Sequence, residues 1–249
     1  MKKVVNRFGN KASGMLLGSL LGALLSVTAG VHAADEIPQA VSDQLQQMVP
    51  GNTPSEVSLT PIPDLYLVRF GTTVLYLSAD GKYLFDGQML DLEARKNLTN
   101  EAISKARVDI LEGMDESAMV LFTPSETKRT LTIFSDIDCP YCVRLHAERE
   151  TLLSAGVKLR YILYPRTGIN SPSYHKAVSV WCAEDRAAAM TQAKAGMPPE
   201  DKVCENPIAS QMELASAFGL KGTPHIVIDD GDVIGGYMPA KKLLQKLGL

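Results

Sequence analysis

The chain has 249 residues, of which 45% are hydrophobic and 21% charged, and its formal charge is −3. That length allows one large or two modest domains. A slight acidity with no basic block argues against nucleic acid as the main partner.

Residues 1–33 read as a secretory signal peptide. Lys2, Lys3, Arg7 and Lys11 precede an apolar, glycine-punctuated segment at 15–29, and the segment ending at Ala33 offers a cleavage site. The alternative is an uncleaved membrane anchor. Against it, the apolar segment falls short of the about 20 residues a span needs, and Gly18, Ser19 and Gly22 interrupt it. Cleavage removes four basic and no acidic residues, leaving 216 residues with a formal charge of −7. Export implies an oxidising compartment in which disulfides are permitted, and the short, lysine-rich signal points to a bacterial periplasm.

In the exported part, Ile37, Val41, Leu45 and Met48 recur at helical spacing, and Pro50-Gly51 ends the pattern. Beyond Pro54, Pro61 and Pro63, the segments 65–70, 74–77 and 83–85 read as strands of an antiparallel meander, with turns at Gly71-Thr72 and 79–81. A unit of this size cannot bury a generous core alone, and it exposes strand edges. Dimerisation through those edges and packing on the C-terminal part both solve that problem, and residue pattern does not choose between them. Segment 92–111 mixes charges with spaced apolar residues, as a mostly solvated linker helix with a hinge near Gly113 would. Strands follow at 119–122 and 130–134, then a helix at 143–153 and a strand at 157–163. A helical region at 174–195, a helix at 208–218 and a strand at 225–228 complete the series. Strands alternating with helices indicate a three-layer α/β domain.

Cys139-Pro140-Tyr141-Cys142 falls where a strand hands over to a helix. Disulfide exchange proceeds through the thiolate, and the unpaired amides of a helix start stabilise negative charge. Cys139 is therefore the expected attacking thiol and Cys142, one turn inward and more deeply buried, the resolving thiol. Pro140 suits the first helical position, where a missing N–H costs nothing. Attachment of c-type haem needs histidine after the second cysteine, and Val143 stands there. Zinc would need two further ligands, yet Cys182 and Cys204 lie 22 residues apart with no CxxC of their own. No metal and no cofactor are expected. Gly222-Thr223-Pro224-His225 precedes a strand, as a proline loop facing the thiols would. A cis Thr223-Pro224 bond there would present the Thr223 backbone to a substrate chain beside Cys139.

The run from Phe134 to Cys142, Leu145-His146, Tyr164-Pro165-Arg166, Trp181-Cys182-Ala183 and Gly222-Thr223-Pro224 together resemble the DsbC family of periplasmic disulfide isomerases. Segments 74–77, 80–82 and 86–87 extend the resemblance into the meander. It implies an α/β thioredoxin-like catalytic domain over 114–249, a helical linker over 92–113, and a small α+β N-terminal dimerisation domain over 34–91. It also implies a homodimer with an apolar cleft, misfolded disulfide-containing exported proteins as substrates, and a membrane electron donor of the DsbD type. Thr223, Pro224 and Tyr141 are then the expected substrate-binding residues. Cys182 and Cys204 are expected to form a structural disulfide, closing a loop worth roughly 3 kcal/mol; a second redox pair is the alternative. The apolar helical setting of Cys182 beside Trp181 reads as buried.

The resemblance has a departure. Pro140-Tyr141 stands where the family carries Gly-Tyr and is similar to the dipeptide of DsbG and glutaredoxins, which leaves redox potential and substrate range open. About 30 mV corresponds to roughly 1.4 kcal/mol in a two-electron exchange. Ile133 stands six residues before Cys139, where thioredoxins carry a buried acid, so proton handling is expected to differ. His146 lies on the helix face of Cys142 and reads as a packed residue. Alternatives to the isomerase are a DsbG-like reductase of oxidised single cysteines, a holdase chaperone, and a dithiol oxidase.

Overall fold

The computed structural model describes residues 37–249. The expected signal peptide and its cleavage site lie outside the described residues. An N-terminal sheet region leads through a helix into an α/β domain. The first part holds α1 (Gln39–Met48) and an antiparallel sheet of β1 (Glu56–Leu59), β2 (Leu65–Phe70), β3 (Thr73–Ser78) and β4 (Leu84–Phe85), in that spatial order. Helix α1 lays Val41 and Leu45 on Val68 and Leu77, the i and i+4 positions of one face. The meander thus carries one more strand than the sequence suggests.

A second difference lies in the linker. Residues expected to be helical from 92 onward instead form the short hairpin β5 (Leu90–Asp91) and β6 (Lys96–Asn97), and α2 spans Leu98–Glu112. The Asn97 side chain sets that start by accepting from the Asn100 amide at 3.0 Å, the capping role for which asparagine is suited. Arg69 on β2 reaches Asp109 of α2 at 2.9 Å, and the Tyr76 and Thr99 hydroxyls share a hydrogen bond. These contacts tie the sheet to the helix.

The C-terminal domain contains β7 (Val120–Phe122), β8 (Arg129–Ser135), α3 (Pro140–Ala147), α4 (Arg149–Ser154) and β9 (Val157–Leu163). It continues with α5 (Pro172–Trp181), α6 (Arg186–Lys194), α7 (Ile208–Ala217), β10 (His225–Ile228), β11 (Val233–Gly235) and α8 (Ala240–Leu247). Its five strands lie in the order β11-β10-β8-β9-β7. Strands β8 and β9 are parallel, while β10 and β7 run antiparallel to them. The neighbours in sequence, β7 and β8, are therefore not paired with each other. Alternation along the strands sends Leu131, Ile133, Leu159, Tyr161, Ile226 and Ile228 into one apolar cluster, and Phe134, Ile162 and Val227 into another. Helices cover both faces, which is why these strands read as continuous apolar runs. Each such fully buried side chain contributes roughly 1.5–3 kcal/mol.

The expected single helix at 143–153 is divided at Glu148. The Glu148 carboxylate accepts the Ala240 amide at 2.6 Å and the Tyr237 hydroxyl. It thus caps α8, whose own N-cap, Pro239, offers no side-chain acceptor. The helical region at 174–195 is likewise two helices, with Asp185 capping the second by accepting from Ala188.

Candidate active site

Register brings the two sequence motifs together. His225 pairs with Phe134 across the antiparallel β10/β8 ladder, so the residues preceding β10 lie beside those following β8. Thr223-Pro224, a cis peptide bond, consequently faces Cys139. The Pro224 carbonyl is held by the amide of Gly236, the residue after β11, at 2.8 Å, which fixes the loop to the end of that strand.

Cys139 is the N-cap of α3, Pro140 opens that helix, and the Val143 amide donates to the Cys139 carbonyl at 2.9 Å. Both thiols are free. Both are 1% exposed, so neither sulfur lies open to solvent, but Cys142 sits deeper in the domain, as expected, and burial weighs more heavily on it. Their partners differ as well. The Cys139 thiol donates to the Thr223 carbonyl at 3.3 Å. Burial pushes the Cys139 thiol up, but the Thr223 side chain and the amides and thiol at Cys142 and Tyr141 outweigh it, and the net shift is downward. Burial dominates at Cys142 and lifts it, opposed by Lys194, Ser135 and Thr223. The pair is thereby split into a more acidic and a less acidic thiol.

The Thr223 hydroxyl is buried and has no hydrogen-bond partner, and its nearness lowers the proton affinity of both sulfurs. An unpaired buried donor beside a sulfur can turn to donate once charge develops there, when a hydrogen bond to it is worth most.

Tyr141 is 54% exposed and stacks on Tyr237, with ring centroids 6.5 Å apart. Arg144 approaches the Tyr141 ring to 5.6 Å. On the other side of the proline loop, a shallow groove of about 340 Å³ is lined by Lys221, Gly222, Thr223, His225, Gly235 and Gly236. Exposed aromatic surface and an open backbone loop therefore flank the buried sulfurs.

Several residues of the site were not singled out from sequence. The Asp136 carboxylate, 2% exposed, accepts the Ser173 hydroxyl at 2.6 Å, the Asp138 amide at 2.8 Å, and Arg166 through its amide at 2.9 Å and Nε at 3.1 Å. Burial raises the proton affinity of Asp136, but these bonds reverse the shift and keep it ionised. Asp138 pairs with Lys176 at 2.7 Å. Lys194 is buried beneath the site and donates to the Ser135 hydroxyl and the Asp136 carbonyl, both at 3.0 Å. Its signal in sequence is spacing, because Lys194 follows the fully buried Met190 by four residues on α6.

His146 is a satisfied core residue. The Thr191 hydroxyl donates to the Ala187 carbonyl at 2.9 Å, so His146 Nε2 carries the proton given to Thr191 at 3.0 Å. Nδ1 then accepts from the Tyr161 hydroxyl at 3.2 Å. Cys182 and Cys204 are bonded, with Cα atoms 5.8 Å apart. Their setting corrects the buried reading, since Cys182 is half-buried at the end of α5 and Cys204 is exposed. Among the described residues, no cluster of three or more His, Cys, Asp or Glu is placed to hold a metal ion, and no helix is long and apolar enough to cross a membrane.

A CxxC pair at a helix start, facing a cis-proline loop at one end of a helix-covered mixed sheet, defines a thiol-disulfide oxidoreductase of the thioredoxin superfamily. Comparison with known proteins narrows this. Residues 116–249 match the model of a thioredoxin-like domain, and residues 32–100 match that of the disulfide bond isomerase protein N-terminal domain. The chain is 34% identical over 221 residues to the thiol:disulfide interchange protein DsbC of Dickeya dadantii, covering 88% of this chain and 89% of that one. It is 31% identical over 221 residues to DsbC of Escherichia coli, covering 88% and 90%. A crystal structure of a disulfide interchange protein from Neisseria gonorrhoeae matches with a TM-score of 0.50 and 31% identity, over 54% of this chain and 96% of that one. The chain belongs to the DsbC family of thiol:disulfide interchange proteins.

Proposed function

We propose that Cys139 attacks incorrect disulfides in misfolded exported proteins and that Cys142 resolves the product, in the periplasm and within a homodimer. The observation that carries this reading is the asymmetry of the pair, in which Cys139 caps α3 under Thr223 and is the more acidic thiol. The Cys139 thiolate attacks one sulfur of the substrate disulfide, forming a mixed disulfide and releasing the other sulfur as a thiolate. A second substrate thiol then displaces Cys139, giving a reshuffled bond with no net electron flow. In the other route, Cys142 displaces the substrate sulfur, the substrate leaves reduced, and Cys139 and Cys142 become a disulfide. Only that route consumes electrons, and a membrane donor of the DsbD type would restore the thiols.

Thr223, Pro224 and Tyr141 are the proposed substrate contacts. The loop offers backbone groups and the stacked tyrosines offer apolar surface, a combination suited to chains of varied sequence. The Cys182-Cys204 bond is assigned a structural role. The N-terminal sheet is assigned to dimerisation. Tyr83, Leu84, Phe85, Leu90 and Leu92 are all exposed there, beside a cavity of about 670 Å³ that includes Ile62, Leu65 and Met89, and exposed apolar patches of this kind mark interaction surfaces. Such surface would also serve to hold unfolded chains.

The test is reactivation of a protein with scrambled disulfides. Cys139→Ala is expected to abolish it while Cys142→Ala retains part of the reshuffling route. Full reactivation by Cys139→Ala would refute the assignment and leave a holding role.

A further inference from the structure

Lys194 is 4% exposed and, among the described residues, forms no salt bridge. Asp136 and Asp138, the nearby carboxylates, are engaged with Arg166 and Lys176 respectively. A buried ammonium without a counter-ion is costly. Its Nζ is instead 3.0 Å from the Ser135 hydroxyl, and Ser135 in turn stabilises the Cys142 thiolate. The end of α6, the end of β8 and the first turn of α3 bring the three groups together, and both Lys194 and Ser135 lower the proton affinity of Cys142.

We propose that Lys194, acting through Ser135, is a positioning residue that accepts and returns the Cys142 proton and so sets how readily Cys142 resolves the mixed disulfide. This rests on the assignment of Cys139 as attacking and Cys142 as resolving thiol. Burial holds the Lys194 amine below its ordinary range and lifts Cys142, which brings the two proton affinities toward each other. The other titratable or charged groups around them are Cys139, Asp136, Asp138, His146, Tyr161, which burial and Cys142 hold protonated, Arg149 and Arg166. His146 is held neutral near neutral pH, with its pKa lowered to about 3 by burial, Lys194 and Arg149. The Cys142 thiolate is thus the available counter-ion for Lys194.

In the resolving step the Cys142 S–H bond breaks. With Lys194 as the uncharged amine, the Cys142 proton passes to Ser135 Oγ as the Ser135 proton passes to the Lys194 Nζ lone pair. That leaves the ammonium donating to Ser135 Oγ, the direction the structure shows, and Ser135 donating to the thiolate. The Cys142 sulfur attacks Cys139 Sγ, the Cys139–Cys142 bond forms, and the bond from Cys139 to the substrate sulfur breaks. The substrate sulfur leaves as a thiolate and is protonated from solvent. The protein dithiol is oxidised and the substrate reduced, so no further reagent is needed. While the proton stays on Cys142, the mixed disulfide persists and reshuffling by a substrate thiol has time to occur.

The experiment uses the full chain with thionitrobenzoate attached to Cys139 and follows its release by Cys142 between about pH 5 and pH 9. Lys194→Met is expected to move the release profile to higher pH and to slow release at neutral pH by about tenfold or more. Formation of the mixed disulfide, measured in a Cys142→Ala background, is expected to change less. Ser135→Ala, which keeps the lysine but removes the hydroxyl, is expected to shift the profile in the same direction and serves if Lys194→Met does not fold. A folded variant of either kind whose release profile superimposes on the parent overturns this inference alone. Failure of Cys139 to form the mixed disulfide overturns it together with the proposed function.

Discussion

The carbonyl oxygen of Thr223 lies 3.3 Å from the sulfur of Cys139. Two residues 84 positions apart meet because β10 begins where β8 ends, and the hydroxyl of the same threonine is buried without a hydrogen-bond partner. Thr223→Val keeps the size and the carbonyl and removes that donor. A hydrogen bond to a charged group contributes about 1.5–3 kcal/mol, so the thiolate population of Cys139 at neutral pH should fall about tenfold or more. The check is the pH dependence of Cys139 alkylation in a Cys142→Ala background, with the midpoint moving to higher pH. An unmoved midpoint would remove the hydroxyl from the account.

The bond between Cys182 and Cys204 joins residues 22 apart in sequence. In the chain-entropy picture, a loop of that length contributes roughly 3 kcal/mol. Replacing both cysteines by alanine should therefore lower the midpoint of thermal unfolding while leaving disulfide reshuffling intact at temperatures where the variant is folded. Unchanged stability accompanied by lost turnover would instead make these cysteines a second redox pair.

His146 gives the acid side of stability a definite sign. Burial above all, with Lys194 and Arg149, lowers its pKa to about 3, whereas the unfolded chain takes up this proton near pH 6.5. Between those values the unfolded state binds more protons. The stabilisation is complete above about pH 6.5 and is lost progressively as pH falls toward 3. At pH 4.5 the loss from this group is roughly 2–3 kcal/mol. Denaturant unfolding at pH 7 and pH 4.5 should show a smaller difference for His146→Gln than for the parent. Equal differences would place the acid sensitivity elsewhere.

The strands of the α/β domain were legible because both of their faces are buried. Leu131, Ile133 and Phe134 need no alternation to announce a strand. The CxxC and Thr-Pro motifs were legible because their chemistry restricts residue type. Elements whose pattern depends on other elements escaped. Helix α8 hides Ala240, Leu243 and Leu247 among lysines and takes its cap from Glu148. Strand β1 places only half-buried or exposed residues against β2. Asp136 looks like part of a polar turn, and only the folded chain brings Ser173 and Arg166 to it. Lys194 escaped because a lysine in an alanine-rich helix reads as solvated unless the spacing from Met190 is counted.

Exposed apolar side chains on the N-terminal sheet make the proposed dimer testable. Phe85 is 54% exposed on β4, which pairs only with β3 among the described residues. A charge at this position leaves the existing core untouched and penalises any apolar surface packed against it. Phe85→Glu should therefore sediment as a monomer at concentrations where the parent is a dimer, with its Cys139 alkylation rate unchanged. A dimer that survives this change would move the interface off β4.

Gly231 tests how α2 is held. Its φ is +85°, and a Cβ there would lie 2.1 Å from the Ser104 carbonyl oxygen and 2.5 Å from its carbon, both in the α2 backbone. Arg107, one turn further along α2, donates to the Gly231 carbonyl at 3.1 Å. Only a residue without Cβ lets the turn between β10 and β11 approach the helix this closely. Gly231→Ala forces the helix backbone away, at a cost of about 2–4 kcal/mol from overpacking and the left-handed conformation together. Because the clash is with backbone, no side-chain rotation relieves it. The expected result is faster proteolysis within 98–112 and lower stability in denaturant, with the CxxC pair still reactive toward a small disulfide. A variant as protease-resistant as the parent would mean that the turn, rather than the helix, gives way.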